Sequence, residues 1–383
     1  MTRVLGIIGG GQLGMMLTEA AKKMPEQISD VIVLDPTENC PASKVGARQI
    51  VADFSDKNAI VELSLQSDII TYEIESGNAD VLQSIKNTIP INPDPETLRI
   101  IQDKFLQKKF LQENNIPVTD FASVTSISDI EEKISSFGYP AMLKTRRDAY
   151  DGRGNYLIQT KDQIKEGYDK FEKRPIMLEK NVNFQKEISV IAARNTKGEI
   201  STYPPVENIH EESILKMTIA PARISNNVSH EAERIAQKVM ERFHGAGVFG
   251  IEMFVTEDQR VLVNEIAPRV HNSGHHSLQS SSTSQFEQHL RAIMGLKLGK
   301  TDLIHYTVMY NILGPKDLKG VCKSVNLKET EGVYLKWYLK DEIKPARKMG
   351  HFNVVDISDT KDIDGLISKA LKIRDSMTFT MQS

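Results

Sequence analysis

Two cysteines, Cys40 and Cys322, are all that 383 residues contain. Two thiols cannot build a disulfide framework or a zinc ribbon, which points to a reducing compartment. An excess of one charge is also missing: 48 Lys and Arg stand against 51 Asp and Glu, a net charge of −3. A chain so close to neutral has no bulk attraction to nucleic acid or to an anionic membrane surface. No run reaches eighteen apolar residues. The opening stretch Val4-Leu5-Gly6-Ile7-Ile8 is too short for a signal segment or a span and ends in glycines. Apolar residues make up 40% and charged residues 26%, which excludes wholesale disorder. The length predicts two or three domains and a cytoplasmic enzyme.

The first hundred residues alternate short apolar runs with helical stretches. Strands are expected at Val4–Ile8, Val31–Leu34 and Ile69–Tyr72, and helices at Gln12–Met24 and around Val81–Ile85. That alternation predicts an α/β unit with a parallel, Rossmann-like sheet. Asp94-Pro95-Glu96 reads as a helix start, with one helix running through Leu98, Ile101, Phe105 and Leu111 to Asn114. Beyond Phe121 the pattern is α+β. Strands are expected at Ala141–Lys144, Tyr156–Ile158, Met177–Glu179 and Glu187–Ala193, and a helix from Ser229 to about Phe243. A strand pair, Val248–Val255 and Arg260–Ile266, precedes a helix at Gln285–Met294. From about Thr301 the chain is β-rich and closes on a helix at Ile363–Arg374. Domains are expected at 1–97, 98–298 (with a lid at about 117–182) and 299–383.

Gly9-Gly10-Gly11-Gln12-Leu13-Gly14 follows the first strand and opens a helix, and Asp35 ends the second strand. This matches a dinucleotide fingerprint. The same loop serves any phosphate at a helix N-terminus, or is a tight strand-to-helix turn. Gly295-Leu296-Lys297-Leu298-Gly299-Lys300-Thr301 has three residues between its glycines, where a Walker A loop has four, and reads as a solvated connection.

The strand pair is a hairpin by pattern. With a turn at Asp258-Gln259, Glu252 lies opposite Glu265 and shares a face with Phe254 and Val263. Two facing carboxylates on a half-buried face repel. No Lys or Arg in either strand offsets them, so a hard divalent cation such as Mg²⁺ fits, with Asn264 beside it. The loop Ala267-Pro268-Arg269-Val270-His271-Asn272-Ser273-Gly274-His275-His276 is rich in donors and suits an anionic substrate; zinc on its histidines lacks a fourth ligand. Lys144 ends a strand before Tyr150-Asp151-Gly152-Arg153-Gly154-Asn155, where glycines allow N–H groups to fold over phosphates and the lysine supplies a point charge. Met177-Leu178-Glu179-Lys180-Asn181-Val182 could present its backbone to an adenine edge, with Glu187 near ribose hydroxyls.

These segments, together with Arg347-Lys348-Met349-Gly350-His351, resemble the ATP-grasp superfamily and, within it, the N5-carboxyaminoimidazole ribonucleotide synthetases. The resemblance covers essentially the whole chain. It implies a central ATP-grasp domain, a small β-rich C-terminal domain and ATP-dependent carboxylation of 5-aminoimidazole ribonucleotide by bicarbonate. It implies ATP contacts at Lys104, Lys144, Ala149, Tyr150, Asp151, Gly152, Arg153, Gly154, Asn155, Glu179, Lys180, Asn181, Val182, Glu187, His210, Asn264 and Glu265. Magnesium falls on Glu252 and Glu265. The ribonucleotide falls on Gln12, Leu13, Glu73, Tyr150, Asp151, Arg153, His271, Asn272, Lys340 and Arg347, so the glycine loop would hold its phosphate. Catalysis is placed on Lys144, Asp151, Arg153, Arg269, His271 and Asn272, with Asp151 or a His271-containing network taking the amine proton. A homodimer is expected, with no nucleic-acid or membrane partner. Two departures stand out: Lys104 replaces an arginine, and Asp148-Ala149 replace two glycines before the Tyr-Asp-Gly loop. The alternatives are another ATP-grasp carboxylase or formate-using ligase, a nicotinamide-dependent dehydrogenase, and a non-catalytic nucleotide-binding regulator.

Overall fold

The computed structural model describes residues 2–148, 154–171, 174–328 and 330–381. The chain starts in the middle of a four-stranded parallel sheet. Strand Arg3–Ile8 lies between Ile28–Leu34 and Ile69–Tyr72, with Arg48–Ile50 at the edge. Its inner strands are near-continuous apolar runs because both faces are covered. Met15, Met16 and Leu17 of helix Gln12–Lys22 cover one face, and Ile60, Leu63 and Leu82 cover the other. The first of these cores runs on into Phe286 and Leu290 of helix Gln285–Ile293, so the parallel sheet is fused to the rest of the molecule by buried apolar contact.

The single helix expected from Asp94 to Asn114 is two helices, Pro95–Ile101 and Lys104–Glu113. The break is at Asp103, whose carboxylate accepts from the N–H groups of Phe105 and Leu106 and starts a new helix. It places Lys104 on the first turn of the second helix. The helix expected at Ser229 starts earlier, at Asn226, because Ser225 takes the N-cap and its Oγ accepts from Val228 N.

A small antiparallel sheet follows, in the order Phe121–Val124, Ile176–Lys180, Ala141–Thr145, Asn155–Ile158. Helix Ile127–Phe137 closes its core around Ile130, Ile134, Leu143 and Leu178. Among the described residues the large sheet has nine antiparallel strands, one of which, Ile200–Thr202, pairs with Phe184–Arg194 off the main run. Val261–Ala267 is at one edge, followed by Gly247–Thr256, Phe184–Arg194, Val206–Glu211 and Ile214–Ala220. Thr307–Leu313, Lys348–Val355 and Val333–Trp337 continue it. The β-rich tail therefore extends the central sheet, because Thr307–Leu313 adds its ladder directly to Ile214–Ala220. The Gly295–Thr301 connection follows helix Gln285–Ile293, with Gly295 at φ +70° just past the helix end.

The hairpin register is reached by an unexpected route. Val255 pairs with Val261, Phe254 with Leu262 and Met253 with Val263, one residue away from the expected alignment. A bulge between Met253 and Glu252 then absorbs Asn264, so Glu252 does face Glu265. Val263 is consequently on the core side under helix Asn226–Arg242, not on the carboxylate face; Leu262 stands opposite Phe254 there.

Candidate active site

A cleft of about 1390 Å³ runs between the small sheet, the hairpin, the carboxyl ends of the parallel strands and the 340–348 loop. Each candidate residue that the structure describes lines it, from Gln12, Leu13 and Glu73 to Lys340 and Arg347. Ala149, Tyr150, Asp151, Gly152 and Arg153 lie outside the described residues. Asp148, just before that loop, adopts φ +55°. Aspartate tolerates that left-handed conformation better than most side chains.

At the hairpin, Glu252 and Glu265 face the cleft from adjacent strands. The positive charge that their sequence context lacks comes from elsewhere in the fold. Lys104 Nζ is 2.8 Å from Glu265 Oε2, and His271 Nε2 is 3.2 Å from Glu252 Oε1. Burial would raise the Glu252 carboxyl, but His271, His210 and Lys104 together hold it down at about 2. The Lys104 ammonium resists burial in the same way and is raised by Glu265 and its neighbours. Among the described residues no three His, Cys, Asp or Glu side chains converge. The protein thus offers the two facing carboxylates and the Asn264 amide. This set fits a Mg²⁺ ion that takes its remaining oxygens from phosphate and water.

His271 is held from behind. Its Nδ1 is 2.9 Å from Ser273 Oγ, which receives the Ser189 hydroxyl at 2.7 Å, and Ser189 in turn accepts from Asn208 Nδ2 at 2.9 Å. With Nε2 against a carboxylate, that nitrogen carries the proton. His275 and His276 point inward and away from this chemistry. Gln285 and Ser280 hold their Nδ1 atoms, and burial keeps His276 neutral, at about 3. Asn272 is locked to Asn311 by reciprocal amide bonds of 3.0 and 2.6 Å. Glu187 and His210, on paired strands, form an ion pair that raises the histidine against the opposing effect of burial.

Across the cleft, Lys144 Nζ is 2.6 Å from Glu179 Oε2. Arg146 forks onto Asp103 at 2.9 and 2.6 Å, and Lys104 N donates to Arg146 O at 2.8 Å. The small sheet is thereby pinned to the helix start that carries Lys104.

At the far end the glycine loop is already engaged with carboxylates. Gly10 N donates to Asp35 Oδ2 and Gly11 N to Glu73 Oε1, both at 2.8 Å. Asp35 thus turns into the loop, which is not how a dinucleotide reader would use its ribose-binding acid. Gly9 sits at φ +105°, and a Cβ there would lie 2.6 Å from Glu73 Cγ. Glu73 is 9% exposed. Burial raises its carboxyl to about 7, against the pull of Arg269 and of the Gly11 N–H. Arg269 Nε is 2.8 Å from Glu75 Oε1. Lys340 Nζ donates to Lys348 O at 2.7 Å, and Arg347 to Glu342 O at 3.0 Å, which fixes the loop that rims this end.

Sequence reasoning missed Glu75, Asp103, Lys108 and Arg146. Asp103 had a visible signal, an N-cap residue inside a helical run. Glu75 and Lys108 had none, because their partners lie 194 and 71 positions away, at Arg269 and Glu179.

Three domain families match the chain: a ribonucleotide synthetase preATP-grasp domain over 1–102, an ATP-grasp domain over 109–286 and a phosphoribosylaminoimidazole carboxylase C-terminal domain over 307–363. The N5-carboxyaminoimidazole ribonucleotide synthase of Bacillus subtilis is 39% identical over 366 residues, covering 96% of this chain and 95% of that protein. The crystal structure of N5-carboxyaminoimidazole ribonucleotide synthetase from Thermotoga maritima superposes with a TM-score of 0.89 at 42% identity, covering 100% of both chains. The Aspergillus clavatus N5-carboxyaminoimidazole synthase, solved with ADP and 5-aminoimidazole ribonucleotide, superposes with a TM-score of 0.89 at 32% identity, covering 98% of this chain and 99% of that one. With these matches spanning nearly the whole length, this chain belongs to the N5-carboxyaminoimidazole ribonucleotide synthases of the ATP-grasp superfamily.

Proposed function

We propose that this chain is an ATP-dependent carbon–nitrogen ligase of purine biosynthesis. It joins bicarbonate to the amine of 5-aminoimidazole ribonucleotide and releases ADP and phosphate. One observation carries the reading: a single cleft joins the paired carboxylates and the lysines Lys104 and Lys144 at one end to Glu73, Arg269 and Lys340 at the other. A triphosphate fits the first end and a ribonucleotide the second, so that the reacting groups meet near His271 and Asn272.

In this reading a bicarbonate oxygen attacks the γ-phosphorus, the bond to the β-phosphate oxygen breaks, and carboxyphosphate forms with loss of ADP. Lys144 and Lys104 hold the phosphates in line, with positioning and electrostatics doing most of the catalysis. Glu252 and Glu265, with Asn264 beside them, would hold Mg²⁺, which would add further neutralisation of phosphate charge. The ribonucleotide amine then attacks the carboxyl carbon or the CO₂ released from it, and phosphate departs. Asp151, or the network of His271 and the Glu252 carboxylate beside its Nε2, takes the amine proton; Ser273, Ser189 and Asn208 hold the ring in place from behind. Arg269, braced by Glu75, and Arg153 offer charge to the carboxylate and ribonucleotide phosphate. By the family likeness, Tyr150, Gly152 and Gly154 belong to the nucleotide contacts. The family likeness also supports a cytoplasmic homodimer, and no described helix is long and apolar enough to cross a membrane.

The test is a coupled ADP-release assay with and without bicarbonate and the ribonucleotide. Release should require both. Release that follows glycinamide ribonucleotide in place of the aminoimidazole compound would overturn the acceptor assignment.

A further inference from the structure

We infer that Lys108 is a positioning residue for the nucleotide end of the cleft, acting through Glu179 to keep Lys144 available to phosphate. The inference rests on the nucleotide reading above. Lys108 lies one turn beyond Lys104 on helix Lys104–Glu113, so both side chains leave the same face. Lys104 reaches the cleft. Lys108 is 2% exposed and is not among the cleft-lining residues. A lysine this deep is rare without a partner, because desolvation opposes its charge. Burial does lower the Lys108 ammonium, against the attraction of Glu179.

Its Nζ is 3.2 Å from Glu179 Oε1 and 3.5 Å from the Val263 carbonyl oxygen. The other carboxylate oxygen is the one that holds Lys144, at 2.6 Å. One buried carboxylate thus bridges two ammonium groups. Burial alone would raise Glu179; the two lysines instead hold it at about 2, ionised at any working pH. The helix cannot drift away from this arrangement, since the Gln107 amide bonds the backbone of Ile266 in both directions, at 3.1 and 3.0 Å.

The charge count decides the role. A Lys144–Glu179 pair alone is neutral, and a lysine consumed by a buried carboxylate has little attraction left for an anion. With Lys108 the triad carries one net positive charge, and Lys144 is the one of its two lysines that lines the cleft, beside Glu179. Lys108 never touches the ligand. It takes half of Glu179 and leaves Lys144 free to turn toward phosphate.

The experiment uses the full chain and ATP binding by titration calorimetry, with KM values from ADP release. Lys108→Met should weaken ATP binding at least about tenfold and leave the KM for the ribonucleotide within about twofold. The double variant Lys108→Met with Glu179→Gln restores one net positive charge at Lys144. It should bind ATP at least about threefold more tightly than Lys108→Met does, a partial rescue that a purely structural role does not give. A folded Lys108→Met that binds ATP as the unmodified protein does overturns the inference. If Lys108→Met does not fold, the double variant decides alone, and ATP binding as weak as in Lys144→Met overturns it. Lys144→Met without effect on ATP, or no ATP binding by the unmodified protein, overturns the nucleotide reading itself and separates that failure from this one.

Discussion

Replacing Glu73 by glutamine should make the protein more stable and a poorer binder of the ribonucleotide, and the gain in stability should depend on pH. Glu73 is 9% exposed and its carboxyl is raised from 4.5 to about 7. Below pH 4.5 the group is protonated in the folded and unfolded chains alike and contributes nothing. Between 4.5 and 7 the unfolded chain ionises first, so stability falls as pH rises. Above 7 the full cost is present. Each tenfold in proton affinity is worth about 1.4 kcal/mol, so the cost approaches about 3 kcal/mol at pH 8. Glutamine keeps an oxygen for the Gly11 N–H, and Arg269 keeps Glu75 at 2.8 Å, so neither partner is orphaned. Thermal unfolding of both proteins from pH 5 to 8 should show curves that nearly coincide at pH 5 and diverge steadily, with Glu73→Gln higher by several degrees at pH 8. The KM for the ribonucleotide should rise severalfold with the KM for ATP unchanged, a stability–function trade. A difference that is the same at every pH, or a variant less stable at pH 8, would refute the reasoning.

Three further outcomes follow from the same geometry. Glu265→Gln should fold normally and lose about 10²–10³ in ribonucleotide-dependent ADP release; near-normal turnover would remove the metal role assigned to it. Lys104→Met frees a carboxylate now held at 2.8 Å, so Mn²⁺ titrated without nucleotide and followed by paramagnetic resonance should bind about tenfold more tightly. Unchanged Mn²⁺ affinity would show that lysine and cation do not compete for Glu265. Gly9→Ala forces a side chain into φ +105° and to within 2.6 Å of Glu73 Cγ. A loss of at least about 2 kcal/mol in denaturant unfolding is expected.

The order of elements was readable because each rests on local physics. Apolar runs of four to seven residues bounded by turn residues specify the parallel strands, and Ile69–Tyr72 falls where the pattern places it. Asp94 caps a helix because its side chain reaches an N–H two residues on. Glu252 and Glu265 could be paired because a hairpin relates residues through one short turn, although Asn264 had to bulge for the pairing to hold. Periodicity carries no information about such a bulge, nor about Asp103 ending one helix and starting another. What the sequence by itself determined is therefore the strand and helix alternation, the carboxylate pair and the family to which its motifs belong. Only the tertiary structure decided which charges meet. Lys104 balances Glu265 across 161 positions, Lys108 and Lys144 share Glu179, and Glu73 closes on the glycine loop from 62 positions away. Those partners come from different sheets and helices. Burial and Coulomb attraction act on distance in space, and chain spacing says nothing about that distance until the sheets are stacked.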